Sequence, residues 1–457
     1  MGMSEADGME DWYAELIQRM TTPSFVVDND ACSPTTVIKV IRVEGMNKQR
    51  ILLEVVQVLA DLNLIITKAN MSFDGEWFMD VFHVTDADGN KLQNEIIDKI
   101  KESLAAQDRF LSPPRSPVAV TPSKKLTSIE LTGADRPGLL SDICAVLRDM
   151  NCNVVEGDLW THNARTAAVV HVTDQSTGLA IEDPERISTI EELLRNVLRS
   201  SNDGTRVGNM VVAMGAAHIE SRLHQMLLAE RDYEPVADPP AGAESNGCRP
   251  QVSLSHCLEK DYSVVTVRSK DRPKLLFDTL FTLTDMQYVV FHGTGITGAM
   301  EAWQEYYIRH VDGLPISSEA ESQRVIKCLE AAIERRTSEV CTNALAGRCA
   351  KDRVGLLSDI TRIFRENGLS IKRAVISTKG SKAVDTFCVS DMSGNPVDPK
   401  TVESIRRQIA QMGKAVVRMK GSPHVSFKHP AETAGFLLGN LLKACSFQSF
   451  RLVRSYS

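Results

Sequence analysis

The 457-residue chain predicts an α+β fold of four tandem βαββαβ units, on three observations. One strand-to-helix turn recurs four times, the apolar stripe leaving it repeats at the same positions, and strand and helix patterns then follow in one order. The turn reads Ala134-Asp135-Arg136-Pro137-Gly138-Leu139-Leu140-Ser141-Asp142-Ile143. It returns as Lys270-Asp271-Arg272-Pro273-Lys274-Leu275-Leu276 and as Lys351-Asp352-Arg353-Val354-Gly355-Leu356-Leu357-Ser358-Asp359-Ile360, with a weaker copy at Asn47-Lys48-Gln49-Arg50-Ile51-Leu52-Leu53-Glu54-Val55. Asn47, Asp135, Asp271 and Asp352 are separated by 88, 136 and 81 residues, so the wide middle gap holds a unit plus a linker.

The β-rich run Leu126 to Thr132 leads into the turn, and an apolar stripe at helical spacing leaves it. Asp135 is expected to cap the helix, and Pro137 suits its first turn because the missing N–H would be unpaired there. Gly138 removes the side chain where something approaches the backbone. The free amides at such a helix start favour an anion such as a carboxylate.

Residues 1–33 form a separate N-terminal segment with a short helix over Trp12 to Met20. Unit one, 34–112, opens with the β-branched strand Val37 to Val43. Ile51, Leu52, Val55, Val58, Leu59 and Leu62 follow at offsets 0, 1, 4, 7, 8 and 11, one face of a helix. Strands at Leu64 to Met71 and Trp77 to Thr85 and a helix at Gln93 to Leu104 come next. A Pro-rich stretch from Leu111 to Pro122 contains Val118 to Val120 as a candidate closing strand. In unit two, 124–215, Leu139, Leu140, Ile143, Val146, Leu147 and Met150 repeat the same offsets, followed by two strands, the helix Pro184 to Arg199 and the strand Met210 to Met214. Residues 216–258 hold a connecting helix, Ala216 to Tyr233, and a flexible linker. Unit three, 259–338, and unit four, 341–421, repeat the order, with Asn343 to Cys349 a weak opening strand. The tail, 422–457, is basic and serine-rich. A βαββαβ order gives a ferredoxin-like sandwich, four antiparallel strands covered on one face by two helices. Such small units leave edges and faces needing cover, so they are expected to pack in pairs.

The composition, 43% hydrophobic and 24% charged, is that of a globular chain. A net charge of −7 argues against nucleic acid as a partner. Ten scattered cysteines show no metal-ligand spacing and point to reduced thiols in the cytoplasm or nucleus. The acidic N-terminus is wrong for a transit peptide, and no apolar run approaches the roughly 20 residues that span a bilayer.

Asp135-Arg136-Pro137-Gly138-Leu139-Leu140, Asp352-Arg353-Val354-Gly355-Leu356-Leu357 and Trp77-Phe78-Met79-Asp80-Val81-Phe82-His83-Val84-Thr85-Asp86 resemble the plant ACT-domain-repeat (ACR) proteins. Lys260-Asp261-Tyr262-Ser263-Val264-Val265 and the ending Leu452-Val453-Arg454-Ser455-Tyr456-Ser457 do so too, and the likeness covers nearly the whole chain. In ACT domains small ligands, often amino acids, bind near the first turn at an interface between paired domains. The resemblance therefore implies amino-acid binding, a sensing role, a regulated partner protein, self-association through ACT domains and no cofactor.

The turn glycine is present as Gly138 and Gly355, but Arg50 and Lys274 replace it in units one and three. At the start of the second strand, units two and four carry Asn153 and Ser370, whereas units one and three carry Ile65 and Val289. Units two and four are therefore expected to bind ligand through Asp135, Arg136, Pro137, Gly138, Leu139 and Asn153, and through Asp352, Arg353, Val354, Gly355, Leu356 and Ser370. Units one and three then complete each pair as structural partners, although Arg50 or Lys274 reaching a ligand carboxylate is the alternative. Similar ACT pairs end the bacterial uridylyltransferase, but no His-Asp dipeptide, P-loop, GxSxG, HExxH or dinucleotide fingerprint occurs, so no catalytic or metal site is expected. An RNA-recognition reading would use Trp77, Phe78 and Phe82, yet Trp77 and Phe82 point to opposite faces and the basic residues of the RNA motif are absent. A ligand-independent scaffold is the third class.

Overall fold

The computed structural model describes residues 24–43, 48–73, 77–106, 120–121, 126–199, 208–214, 216–234, 249–257, 261–298, 301–336, 344–349, 355–379, 382–411 and 415–420. The expected helix at 12–20, the tail and turn residues 352–354 lie outside them. Unit one runs β1 (Ser24–Asp28), β2 (Thr36–Val43), α1 (Lys48–Asp61), β3 (Ile65–Phe73), β4 (Trp77–Thr85) and α2 (Asn94–Ala106). Strand β5 (Val120–Thr121) precedes unit two, which comprises β6 (Thr127–Ala134), α3 (Leu139–Asp149), β7 (Cys152–His162), β8 (Arg165–Asp174), α4 (Pro184–Arg199) and β9 (Asn209–Met214). The bridge β10 (Ala216–Ala217), which pairs with β5, and α5 (Ile219–Ala229) follow. Unit three is β11 (Gln251–Cys257), β12 (Tyr262–Lys270), α6 (Leu275–Asp285), β13 (Tyr288–Thr297), β14 (Glu301–His310) and α7 (Glu319–Glu334). Unit four is β15 (Ala344–Cys349), α8 (Leu356–Glu366), β16 (Leu369–Lys379), β17 (Lys382–Asp391), α9 (Pro399–Gln411) and β18 (Ala415–Lys420).

The repeat extends to backbone detail. Asn63, Asn151, Gln287 and Gly368, at equivalent positions between first helix and second strand, all have positive φ. Each second strand then shifts register at one equivalent place, between Ile66 and Lys68, Val154 and Glu156, Val290 and His292, and Ile371 and Arg373.

Two features differ from the sequence expectation. Units one and three take their outer strand from the segment before them, giving ββαββα in place of βαββαβ. Ser24–Asp28 pairs with β2 and Gln251–Cys257 with β12. Phe25, Val27, Val252 and Leu254 alternate toward the core, which holds these short edges in place.

The pairing also differs, because like joins like. The first sheet has the order β1-β2-β4-β3-β13-β14-β12-β11, uniting units one and three; the second, β18-β15-β17-β16-β7-β8-β6-β9, unites units four and two. An odd unit therefore does not complete an even one. Each seam joins the second strands antiparallel, Ala69 opposite Gly295 and Leu159 opposite Ala374, which satisfies edges that would otherwise be left open. Under each seam the first helices of the paired units share one apolar core.

Helix α5 lies on the other face of the second sheet. Strand β8 alternates Ala168, Val170 and Val172 toward the helices of its own pair with Ala167 and Val169 toward Leu223, Met226 and Leu227 of α5. From α5 a buried charge network reaches unit three. Asp278 accepts from Arg336 Nε at 2.8 Å and His224 Nε2 at 2.8 Å, and forms an ion pair with Arg272 Nη1 at 2.7 Å. Arg336 also holds Glu220 at 2.8 Å and lies over the Trp160 ring at 4.7 Å, while Arg335 grips Asp232 at 2.6 and 2.7 Å. Burial opposes ionisation of Asp278, yet Arg336 and Arg272 keep its carboxyl well below the usual range.

His224 donates from Nε2 to Asp278 and accepts at Nδ1 from Arg335 at 2.9 Å, so it is neutral. Burial, with Arg335 and Arg336 opposing a further charge, brings its pKa down to about 4. Since that value lies below the unfolded one of about 6.5, the unfolded chain takes the proton first, and the His224 contribution is present above pH 6.5 and lost as pH falls toward 4. Between pH 7 and pH 4.5 this group is expected to remove about 2 kcal/mol of stability. Urea unfolding at both pH values checks it: His224→Gln, which keeps both hydrogen bonds but does not titrate, should lack that increment.

Candidate ligand-binding site

Gly138 and Gly355 stand immediately before α3 and α8 with φ of 79° and 81°, a left-handed conformation, and no side chain caps either helix. Lys274 adopts the same conformation before α6 with φ 63°, so the turn itself does not demand glycine. The partner unit does. A Cβ on Gly138 would lie 2.6 Å from Cδ of Arg365, and one on Gly355 would lie 3.0 Å from Cδ of Arg148. Arg365 and Arg148 end α8 and α3, so the two helices cross antiparallel, each ending on the other's turn. Arg365 donates to Asp142 at 2.8 Å and Arg148 to Ser358 Oγ at 3.3 Å. The equivalent positions in the other pair are Ala60 and Thr284, and there Lys274 is tolerated.

The remaining predicted residues divide between structure and site. Asp135 does not cap its helix; it meets Lys372 of unit four at 3.3 Å, across the seam. Arg136 turns back to the Val197 carbonyl at 3.2 Å and to Asp142 at 2.8 Å. Pro137 lies in the turn, while Leu139 and Leu356 are buried in the shared core. Ser370 is buried in β16. Asp352, Arg353 and Val354 fall outside the described residues. Lys274 does not reach into open space as a carboxylate anchor, because Glu220 of α5 holds it at 2.8 Å. Phe78 and Phe82 are buried in the core, which removes them from an RNA-binding face.

A cavity of about 40 Å³ opens at the seam of units two and four. Gly355 and Ser358 of unit four face Cys144, Arg148 and Asn153 of unit two around it, so the site draws its turn from one unit and its second strand from the other. A larger cavity, about 110 Å³, lies at the seam of units one and three, between Lys274 and Phe277 on one side and Val56, Ala60 and Ile65 on the other. By the repeat spacings these five positions match Gly355, Ser358, Cys144, Arg148 and Asn153. The two cavities are one site built twice, and the Arg148 side chain fills in the second pair what Ala60 leaves open in the first. The odd pair, expected to be structural, therefore has the roomier cavity; Ala60 and Gln304 carry no mark in the sequence pattern, and Ile65 and Asp271 are read there as features of a structural unit. The signal available was the contrast of Ala60 with Arg148 at one repeat position. Among the described residues no group of His, Cys, Asp and Glu could hold a metal ion, and no helix is long and apolar enough to cross a membrane.

The chain matches the ACR family N-terminal ACT domain over residues 31–110 and the ACT domain over residues 127–198 and 348–411. ACT domain-containing protein ACR4 of Arabidopsis thaliana is 54% identical over 463 residues, covering 100% of each chain. ACT domain-containing protein ACR6 of the same plant is 55% identical over 442 residues, 95% of this chain and 99% of that one. A more distant match is the bifunctional uridylyltransferase/uridylyl-removing enzyme of Gluconobacter oxydans (strain 621H), 22% identical over 226 residues, 50% of this chain but 21% of the enzyme. Identity of over one half along the whole chain makes this protein a member of the ACR family of ACT-domain-repeat proteins.

Proposed function

We propose that the protein is a non-catalytic sensor, binding free amino acids at the seams of its paired units and signalling to a regulated protein. ACT domains are typically amino-acid-binding regulatory modules. The observation that carries the reading is the same cavity in both pairs, each time bounded by the first turn of one unit and the second strand of its partner. A ligand there touches both units, so it favours one packing of the pair over another, the requirement for a population shift. Arg272 and Lys274, which line the larger cavity, also bind Asp278 and Glu220, so an occupied seam adjoins the contacts that hold α5. Cys32, Cys144, Cys152, Cys257 and Cys328 are free thiols, which fits a reducing compartment such as the cytoplasm or nucleus.

Thermal unfolding of the full chain against each protein amino acid, followed by calorimetry, tests the reading. One or a few amino acids are expected to raise the midpoint, because a ligand that prefers the native state stabilises it by mass action. No shift from any of them at millimolar concentration would favour a ligand-independent scaffold.

A further inference from the structure

We infer that the seam of units one and three binds an amino acid with an aliphatic side chain, holding its ammonium at Asp271 and its carboxylate at Gln304. This rests on the sensor reading above and names the ligand class for one of its two seams.

The polar groups around the cavity are Asp271, Arg272, Lys274, Thr297 and Gln304. Three are already engaged. Arg272 binds Asp278 at 2.7 Å and the Ile333 carbonyl at 3.0 Å, Lys274 binds Glu220 at 2.8 Å, and Thr297 donates to the Thr67 carbonyl at 3.4 Å. Two remain. Gln304 is 3% exposed, and its Oε1 accepts from Tyr306 at 2.8 Å and from Thr279 at 3.0 Å. Those hydroxyls fix the amide, and its Nε2 has no partner among the described residues. That amide nitrogen stands on the cavity wall, where it can donate to an acceptor on a ligand. The Asp271 carboxylate is half-buried and, among the described residues, has only its neighbour Arg272 beside it, through that residue's backbone N–H and its already engaged guanidinium; burial raises its pKa, the condition that an incoming ammonium reverses. One donor and one anionic acceptor complement the two ends of a zwitterion.

The rest of the wall sets the side chain. Val56, Ala60, Leu64, Ile65 and Ile66 of unit one offer only hydrocarbon, faced by Leu276 and Phe277 of unit three. At the matching places the other seam has Arg148 for Ala60, Asn153 for Ile65 and Ser358 for Phe277, and less than half the volume. A polar side chain in the apolar cavity would bury its amide or hydroxyl without a partner, whereas a branched hydrocarbon exchanges water for matching surface.

Calorimetry on the full chain with leucine, isoleucine, valine, serine, glutamine and aspartate tests the inference. One of the first three should bind at least tenfold more tightly than any of the others. Ala60→Arg, which copies the other seam, should abolish that binding, Asp271→Asn should weaken it tenfold or more, and the surface change Arg231→Met, away from both cavities, should leave it unchanged. Circular dichroism establishes whether Ala60→Arg folds; if it does not, Asp271→Asn decides. Preference for a polar amino acid, or aliphatic binding that survives the deciding variant, overturns this assignment and leaves the sensor reading standing. No binding of any amino acid overturns both.

Discussion

Arg336→Met is expected to destabilise the folded chain by about 3 to 5 kcal/mol, the range for removing one partner of a buried ion pair. Arg336 is fully buried, with Asp278 and Glu220 on its guanidinium and Trp160 beneath it. Methionine fills much of the volume but leaves the Glu220 carboxylate with Lys274 alone and Asp278 with Arg272 and His224. The affected groups lie on α5, α6 and the end of α7, so the loss falls on the junction between the two paired sheets. Arg231→Met is the comparison, since Arg231 meets Glu234 on the surface and such pairs contribute at most about 1 kcal/mol. Urea unfolding followed by circular dichroism reads both. Equal, small losses for the two variants would mean that the network does not hold the sheets together.

Gly138→Leu is expected to cost about 2 to 3 kcal/mol through two separable effects. A side chain at φ 79° is strained wherever it stands, and its Cβ would meet Cδ of Arg365 at 2.6 Å. Adding Arg365→Ala should restore the steric part and leave the conformational part, about 1 kcal/mol, so the double variant is more stable than the sum of the two single losses predicts. Additive losses would show that the glycine does not answer to the partner's arginine. At the equivalent turn Lys274 stands opposite Ala60 and bears only the conformational cost, offset by its contact with Glu220.

This cycle also bears on how the site reads from sequence. The glycines of units two and four mark a close approach, as their residue type implies. What approaches is an arginine of the paired unit, while the seam with the larger cavity belongs to the units whose turns carry Lys274 and Arg50. Asn153, grouped by sequence with its own Gly138, lines a cavity with Gly355, 202 residues further along the chain. Asp135 has the residue type and position of a helix cap, yet Lys372 of the partner unit takes its carboxylate.

The sequence by itself determined the repeated unit and its local structure. Apolar spacing after each turn is a property of one helix, and alternation is a property of one strand, so both are written within a dozen neighbouring residues. Only the tertiary structure decided which units join, which segments supply the outer strands of units one and three, and where space remains. Those outcomes depend on side chains meeting across a seam, Arg148 over Gly355 or Ala60 beside Lys274, and no local period records a contact between residues some two hundred positions apart.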